Sequence, residues 1–158
     1  MSTQRLLWNV RTTSGLCDYL AAIRPLETAR VEDLPLSLIC TGTIPPNPSE
    51  LLASDRMKRF VSGCSRDYAY IFIDTPPINT VADAQIVSAF VDGVILVAKS
   101  GGTGADERNT AISSVERAGG NLCGVVLNDV DIKAIRRSYR YDGRYGNQNA
   151  YMDSYGNK

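Results

Sequence analysis

Short apolar runs alternate with helix-like segments from Leu36 onward. Runs of this length that end in turn residues are typical of strands buried on both faces of a parallel sheet. The alternation predicts an α/β fold with parallel strands and right-handed crossovers. The predicted strands are LSLIC (36–40), YIFI (70–73), VILVA (94–98) and LCGVVLN (122–128), and the predicted helices cover 48–62, 83–90 and 105–118.

Helix-start and helix-stop residues support two of these helices. Asn47, Pro48 and Glu50 fit an N-cap, a first-turn proline and an acid at the third helical position. Thr103 and Asp106 have the spacing of a capping box, and the pair Gly119-Gly120 follows as a stop. The first helix then places its apolar residues on one side: Leu52, Met57, Phe60 and Val61.

The stretch YAYIFIDTPP (68–77) contains the first candidate for chemistry. A single acid, Asp74, follows the apolar run, and the pair Pro76-Pro77 cannot continue a ladder of backbone hydrogen bonds. Open α/β sheets bind ligands at the carboxyl ends of their strands. Asp74 is therefore a candidate Mg²⁺ ligand of a nucleotide-hydrolysing site, acting through a water molecule. The alternative is that Asp74 only caps a turn.

Composition narrows the possible functions. The 158 residues carry 17 basic and 17 acidic side chains, so no overall field favours nucleic acid or an anionic membrane. There is no histidine, which excludes Ser-His-Asp and Cys-His catalysis and every zinc site that uses histidine. The N-terminal residues show no secretory pattern and the four cysteines form no C-x-x-C pair, which favours a cytosolic protein with reduced thiols.

The sequence changes character beyond Asp131. Aliphatic residues are rare after Ile135, while tyrosine, glycine, asparagine and arginine are frequent. Such a segment buries too little apolar surface to offset the entropy of ordering, so we expect a flexible tail. The predicted organisation is a partial α/β nucleotide-binding domain over 1–130 and a tail over 131–158. Five tyrosines lie in the tail: Tyr139, Tyr141, Tyr145, Tyr151 and Tyr155.

A phosphate loop of the form G-x-x-x-x-G-K-[ST] is absent from the sequence, which contains no Gly-Lys pair. VAKSGGTGADE (97–107) is glycine-rich and lies between a predicted strand and a predicted helix. Its Lys99-Ser100 precedes the glycines, so the lysine emerges from the strand and not from the start of the helix. An ordinary β–α connection explains this stretch better than phosphate binding.

Several motifs in this order resemble the bacterial tyrosine kinases (BY-kinases). They are TGTIPPNPSELLASDRM, YIFIDTPP followed by VADAQIV, VDGVILVAKSGGT, GVVLNDVD and the tyrosine-rich end, and they cover most of the chain from about Gly15. The resemblance implies a parallel-sheet fold like that of the P-loop NTPases, in the deviant Walker branch that includes the partitioning ATPases. It also implies a cytoplasmic ATPase that acts in capsule and exopolysaccharide export.

The resemblance assigns roles to particular residues. Asp74 matches the Walker B acid that holds Mg²⁺ through water, and Asn128 matches the residue whose amide contacts the adenine of ATP. Asp83 matches a recurrent acid, for which a helix N-cap role is an alternative to ligand binding. The five tail tyrosines match the cluster that is autophosphorylated. The expected partners are a membrane polysaccharide copolymerase or activator, copies of the chain in a ring and a phosphotyrosine phosphatase, with no nucleic acid. The expected location is the inner face of the plasma membrane, through a partner or fused domain.

The sequence departs from the family at the phosphate loop, which would lie upstream of Met1 together with its strand and an Asp-x-Asp-like pair. The chain is therefore expected to bind ATP poorly and to be inactive alone, as the C-terminal part of an autokinase with an unfilled slot in its sheet. Two alternatives remain: a non-catalytic pseudo-kinase module whose tail is phosphorylated in trans, and a fragment of a partitioning-type ATPase. Single-strand nucleic-acid binding by the Arg/Tyr tail disagrees with the neutral charge of the whole chain.

Overall fold

The computed structural model describes residues 12–131. Nine helices and strands are assigned within that range. In chain order they are α1 (Leu16–Leu20), β1 (Ala29–Arg30), β2 (Ser37–Leu38), α2 (Pro48–Ala53), α3 (Asp55–Cys64), α4 (Asp83–Ser88), β3 (Val94–Lys99), α5 (Ala105–Arg117) and β4 (Leu122–Asn128).

The parallel pair β3–β4 is the central element that the sequence predicted correctly. Its register aligns Ile95 with Gly124 and runs to Lys99 opposite Asn128, with one irregularity after Val94. Helix α5 connects the two strands and contacts both of them as well as α4. The strand–helix–strand order therefore places the ends of β3 and β4 at the same edge of the sheet.

Helix α5 confirms its predicted extent but not its predicted cap. Its N-cap is Gly104, so the capping box proposed for Thr103 and Asp106 is wrong. The Thr103 hydroxyl instead accepts a hydrogen bond from the Lys99 amide at 3.0 Å, which closes the turn after β3. At the other end Gly119 has a φ of +77°, the left-handed conformation that ends many helices.

The single helix predicted over 48–62 is two helices. Ser54 has an extended backbone with ψ of 151°, and its hydroxyl accepts from the Met57 amide at 3.2 Å, so it caps α3 directly after α2 ends. Asn47 is the N-cap of α2 and Pro48 its first residue, as predicted. The apolar side of the prediction also holds, because Met57 is fully buried.

Two predicted strands differ from the structure. Of LSLIC only Ser37–Leu38 is a strand, and it pairs antiparallel with Ala29–Arg30 instead of joining a parallel sheet. The run 70–73 belongs to no helix or strand of the structure. Tyr70 is 81 % exposed and Phe72 85 %, so the predicted burial on both faces is wrong for the described part of the chain. A strand needs a neighbour for its backbone groups, and no other described segment forms a ladder with this one.

The core lies between the helices and one face of the β3–β4 pair. Val87 of α4, Ala98 of β3 and Val115 of α5 are buried there. A Cβ atom on Gly120 would lie only 2.9 Å from the side chains of Ser88 and Val115. The backbone of the turn after α5 therefore packs directly against α4. This packing fixes the positions of the carboxyl ends of β3 and β4.

Candidate functional site

Asp74 lies at the end of the run 70–74, on the wall of a cavity of about 1170 Å³. The run forms one wall of the cavity, and β3 forms another. Lys99, the last residue of β3, also lines it. Asp74 and Lys99 therefore line the same cavity.

The loop that follows Asp74 is held by side-chain hydrogen bonds. Asn79 donates from Nδ2 to the backbone carbonyl of Glu107 at 2.9 Å, which ties the loop to the first turns of α5. Gln85 of α4 donates from Nε2 to the carbonyl of Ile78 at 3.4 Å, and Ile78 itself is buried. These contacts fix the backbone on the carboxyl side of Asp74.

Asn128 is the last residue of β4, directly opposite Lys99 in the parallel register. Its backbone carbonyl accepts from the Ser100 amide at 2.8 Å. The next residue, Asp129, has a φ of +56°, so the chain turns sharply after Asn128. The structure thus places Asn128 at the same sheet edge as Lys99, but not among the residues that line the cavity beside Asp74.

Lys99 forms an ion pair with Asp129, with 3.3 Å between Nζ and Oδ2. Both side chains are about two-thirds exposed, so the pair contributes little to stability. The ion pair instead holds the Lys99 side chain near the end of β4. The pairing was not predicted, since neither residue type nor spacing indicates which acid a strand-end lysine meets.

Asp83 is the first residue of α4, not its N-cap, which is Ala82. One carboxylate oxygen accepts a hydrogen bond from the Ser49 hydroxyl at 2.8 Å. Ser49 belongs to α2, so this bond joins the starts of two helices that pack on each other. Asp83 does not line the cavity beside Asp74.

Asp18 is a buried carboxylate that the sequence did not single out. Its Oδ2 accepts from the amides of Gly15 at 3.0 Å and Thr43 at 3.1 Å, which joins α1 to the loop before α2. Hydrogen bonds from Thr43 lower the pKa of Asp18 below its ordinary value. Gly42, with φ of +80°, lies so close that a side chain there would overlap the carboxylate. Burial, followed by the charges of Asp18 and Asp83, raises the pKa of the Cys17 thiol.

The described carboxylates could hold Mg²⁺ only if water and substrate phosphates complete its coordination. Among residues 12–131, no group of three carboxylate or cysteine side chains could enclose a metal ion. Mg²⁺ is commonly held by one or two carboxylates, with water and substrate phosphates completing the octahedron. Asp74 as a single carboxylate fits that arrangement. The tyrosines predicted as phosphorylation sites (Tyr139, Tyr141, Tyr145, Tyr151 and Tyr155) lie outside the described residues.

No protein-family model matches the chain. Two curated relatives are the tyrosine-protein kinase CpsD of Streptococcus agalactiae and the tyrosine-protein kinase etk of Escherichia coli K12. CpsD is 33 % identical over 138 residues, which cover 86 % of this chain and 58 % of CpsD. Etk is 36 % identical over 137 residues, which cover 85 % of this chain and 19 % of Etk. The chain therefore spans less than two thirds of either relative.

A solved structure extends the similarity to three dimensions. The kinase domain of Escherichia coli tyrosine kinase ETK matches with a TM-score of 0.78 and 34 % identity, over 82 % of this chain and 52 % of that domain. This confirms the predicted fold as that of the relatives' P-loop NTPase-like domains. Within residues 12–131, no helix is both long enough and apolar enough to cross a bilayer.

Proposed function

Because the chain belongs to the bacterial tyrosine kinase (BY-kinase) family, which it matches over most of its own length, we propose that it takes part in ATP-dependent tyrosine autophosphorylation. The process it serves is the regulation of capsular or exopolysaccharide biosynthesis and export. The observation that carries the proposal is the position of Asp74 directly after the apolar run 70–73, on the wall of a cavity, in a member of this family.

Each residue has a definite task in this proposal. Asp74 would help to hold a Mg²⁺ ion through water, and the ion would supply neutralisation of charge on the ATP phosphates. Asn128 binds the adenine edge, because an amide side chain both donates and accepts hydrogen bonds. The contacts of Asn79 and Gln85 keep the Asp74 loop in place. Asp83 is a positioning residue that joins two helices through Ser49.

The amides and lysine that cradle the phosphates are not provided by these 158 residues, which contain no Gly-Lys pair. Phosphoryl transfer depends mainly on positioning and on neutralising the phosphates. The chain alone is therefore inactive and binds Mg·ATP more weakly than about 100 μM. The phosphate loop comes from polypeptide outside these residues.

The tyrosines of the tail are the proposed phosphate acceptors, in trans between copies of the chain assembled in a ring. A membrane polysaccharide copolymerase is the proposed activator, and a phosphotyrosine phosphatase resets the tail. The proposed location is cytoplasmic, at the inner face of the plasma membrane through that partner. Kinship with CpsD and Etk, which are named tyrosine-protein kinases, supports the choice of reaction.

A chimera tests the proposal. Residues 12–158 replace the matching part of the Escherichia coli ETK kinase domain, which supplies the rest of the fold. The expected result is phosphotyrosine on the tail, detected by mass spectrometry after incubation with Mg·ATP. A folded chimera that binds Mg·ATP but forms no phosphotyrosine would contradict the proposed function.

The absent phosphate loop also favours a second candidate, a non-catalytic module whose tail is phosphorylated by a separate kinase. The same chimera separates the two. If the chimera is inactive while an intact ETK kinase domain phosphorylates the full 158-residue chain, the module is the correct assignment. Tail phosphorylation within the chimera itself supports the kinase.

A further inference from the structure

The backbone around Asn128 is held by the turn that follows β3. The Ser100 amide donates to the Asn128 carbonyl at 2.8 Å, and Lys99 lies opposite Asn128 in the register of the parallel pair. Asp129, the next residue along the chain, forms the ion pair with Lys99. One turn therefore makes two contacts here, a backbone hydrogen bond at Asn128 and a side-chain contact directly after it.

The Lys99 side chain is itself held along that turn. Its backbone amide donates to the Thr103 hydroxyl, and its carbonyl accepts from the amides of Gly102 at 3.1 Å and Thr103 at 3.0 Å. A Cβ atom on Gly102 would lie only 3.2 Å from Cδ of Lys99, so the aliphatic stem runs close to the Gly102 backbone. A stem held in this way loses less conformational entropy when its ammonium group pairs with Asp129.

Asp129 has the left-handed conformation, with a φ of +56°, that aspartate and asparagine tolerate better than most residues. The ion pair holds this residue beside the end of β3, with its Oδ2 3.3 Å from Lys99 Nζ. The side chain of Asn128 is exposed, so burial does not restrict its rotamer. Its direction therefore depends on the backbone on its two sides, which the turn and the ion pair hold.

We propose that Lys99 and Asp129 are a positioning pair that directs the Asn128 amide toward the purine base of the nucleotide. This inference rests on the proposed function, in which Asn128 binds the adenine edge. Neither member of the pair touches the nucleotide, and both act through Asn128. The amide would accept from the 6-amino group and donate to a ring nitrogen, which requires a fixed direction.

The same turn also borders the other part of the candidate site. Lys99 and Thr103 line the cavity beside Asp74, whereas Asn128 and Asp129 do not. The ion pair therefore joins the wall of that cavity to the residue proposed for the base.

The first test uses the full 158-residue chain without nucleotide. The motion of the Asn128 side-chain amide is measured by nitrogen-15 relaxation in the parent, Lys99→Met and Asp129→Asn. We expect each variant to lower the order parameter of this group by about 0.2, because the residue after Asn128 is no longer held. Lys99→Arg keeps the charge and should keep the parental value. Asp129→Asn removes the charge but still tolerates the left-handed conformation.

The second test measures the affinity of the ETK chimera for two nucleotides by titration calorimetry. Purine riboside triphosphate has the sugar and phosphates of ATP but a hydrogen atom in place of the 6-amino group. We expect Lys99→Met and Asp129→Asn each to raise the Kd for Mg·ATP about threefold, as for an exposed ion pair, and to leave the Kd for the analogue unchanged. The double variant should bind no more weakly than either single variant, because each change breaks the same pair.

Two further variants calibrate these measurements. Asn128→Ala is expected to raise the Kd for Mg·ATP about tenfold, since it removes the amide itself. Asp55→Asn is the matched control, because Asp55 also forms an exposed ion pair, at 4.0 Å with Lys58, but belongs to α3 and does not line the cavity. It should leave the order parameter and both Kd values unchanged.

Four results would overturn the inference. Equal order parameters in the parent, Lys99→Met and Asp129→Asn would show that the pair does not hold Asn128. Equal losses of affinity for both nucleotides in Lys99→Met would show that the lysine acts on the phosphates. A parental Kd for Mg·ATP in Lys99→Met, beside a weakened Asn128→Ala, would remove the role of the pair alone. A parental Kd in Asn128→Ala would overturn the adenine role itself, which distinguishes failure of the proposed function from failure of the pair.

Discussion

Asp18 shows how one buried side chain can set the geometry of a neighbouring loop. Its carboxylate accepts the amides of Gly15 and Thr43, and the start of α1 also bonds directly to that loop. The Leu16 amide donates to the Cys40 carbonyl at 2.8 Å. A single acid therefore connects α1 with the chain that leads into α2. Sequence spacing could not predict this, because Asp18 and Thr43 are 25 residues apart and Asp18 has no distinctive neighbours.

The stabilisation from Asp18 depends on pH in a defined direction. Its pKa in the folded chain is lowered by the hydrogen bonds from Thr43 and Gly15, so the unfolded chain takes up a proton more readily. The contribution is present above the ordinary value of 3.8 and is lost as the pH falls through the lower folded value. Asp18→Asn is therefore expected to lower the free energy of unfolding at neutral pH, with a difference that shrinks in acid. Urea unfolding of Asp18→Asn and of the parent chain, at neutral and at acidic pH, measures this difference in unfolding free energy.

Asp55→Asn is the control for that experiment. Asp55 is exposed and has only a 4.0 Å ion pair with Lys58, so its replacement should leave the unfolding free energy nearly unchanged. A difference between Asp18→Asn and the parent chain that stays constant down to low pH would show that the ionised carboxylate is not the stabilising form.

At the scale of helices and strands, local signals predicted most elements, and long-range contacts determined the exceptions. Apolar runs identified β3 and β4, and Gly119-Gly120 identified the end of α5. The break at Ser54 was not predicted, because the helical pattern of apolar residues continues across it. The Ser54 hydroxyl nevertheless caps the start of α3. The run 70–73 carries a strand pattern, but a strand forms only where a neighbour pairs with it, and pattern alone does not supply one.

The bond between Ser49 and Asp83 gives a prediction about two helices. The two residues are 34 positions apart, and the bond joins the first turns of α2 and α4. Ser49→Ala and Asp83→Ala are each expected to cost about 1 kcal/mol of stability, and the double variant less than the sum. Thermal unfolding of the parent chain, both single variants and the double variant gives the coupling.

Ser62→Ala is a matched serine change without that contact, and it should cost less than Ser49→Ala. Strictly additive losses from Ser49→Ala and Asp83→Ala would mean that the two side chains act independently and that the hydrogen bond does not join the helices.

At the scale of the whole molecule, charge in the C-terminal segment predicts a change in assembly. From Asp131 to Lys158 there are six basic and three acidic residues, a net charge of +3. Each phosphotyrosine adds about −1.5 to −2, so modification of all five tail tyrosines brings the segment to roughly −5 to −7. If copies of the chain assemble as proposed, unmodified tails are expected to favour assembly and modified tails to favour dissociation.

Light scattering on the chimera before and after phosphatase treatment measures this change. A variant with phenylalanine at Tyr139, Tyr141, Tyr145, Tyr151 and Tyr155 is expected to stay assembled after incubation with Mg·ATP. Tyr68→Phe, outside the segment, should behave as the parent does. Equal masses for the phosphorylated and unphosphorylated forms would make the segment a passive substrate.

Sequence alone predicted which residues follow the apolar runs, but not which side chains they contact. Asp74 and Asn128 each end an apolar run, so the sequence predicted a sheet edge for both, but only Asn128 ends a strand in the described part of the chain. The partners of Lys99 and Asp83 could not be foreseen, because each lies across a contact between separate elements. Their local sequence gives no signal for those contacts.

The proposed roles are that Asp74 acts in the chemistry and that Asp83 acts in the structure, and autophosphorylation of the chimera separates these two roles most directly. Phosphotyrosine formation is measured with Mg·ATP for the parent chimera, Asp74→Asn and Asp83→Asn, each first shown to be folded. Asp74→Asn is expected to abolish phosphotyrosine, because a bound metal ion would lose the carboxylate that holds it through water. Asp83→Asn should keep activity within about threefold of the parent and lose only stability. Phosphotyrosine at the parent level in Asp74→Asn, or its complete loss in Asp83→Asn at a temperature where that variant is folded, would contradict these roles.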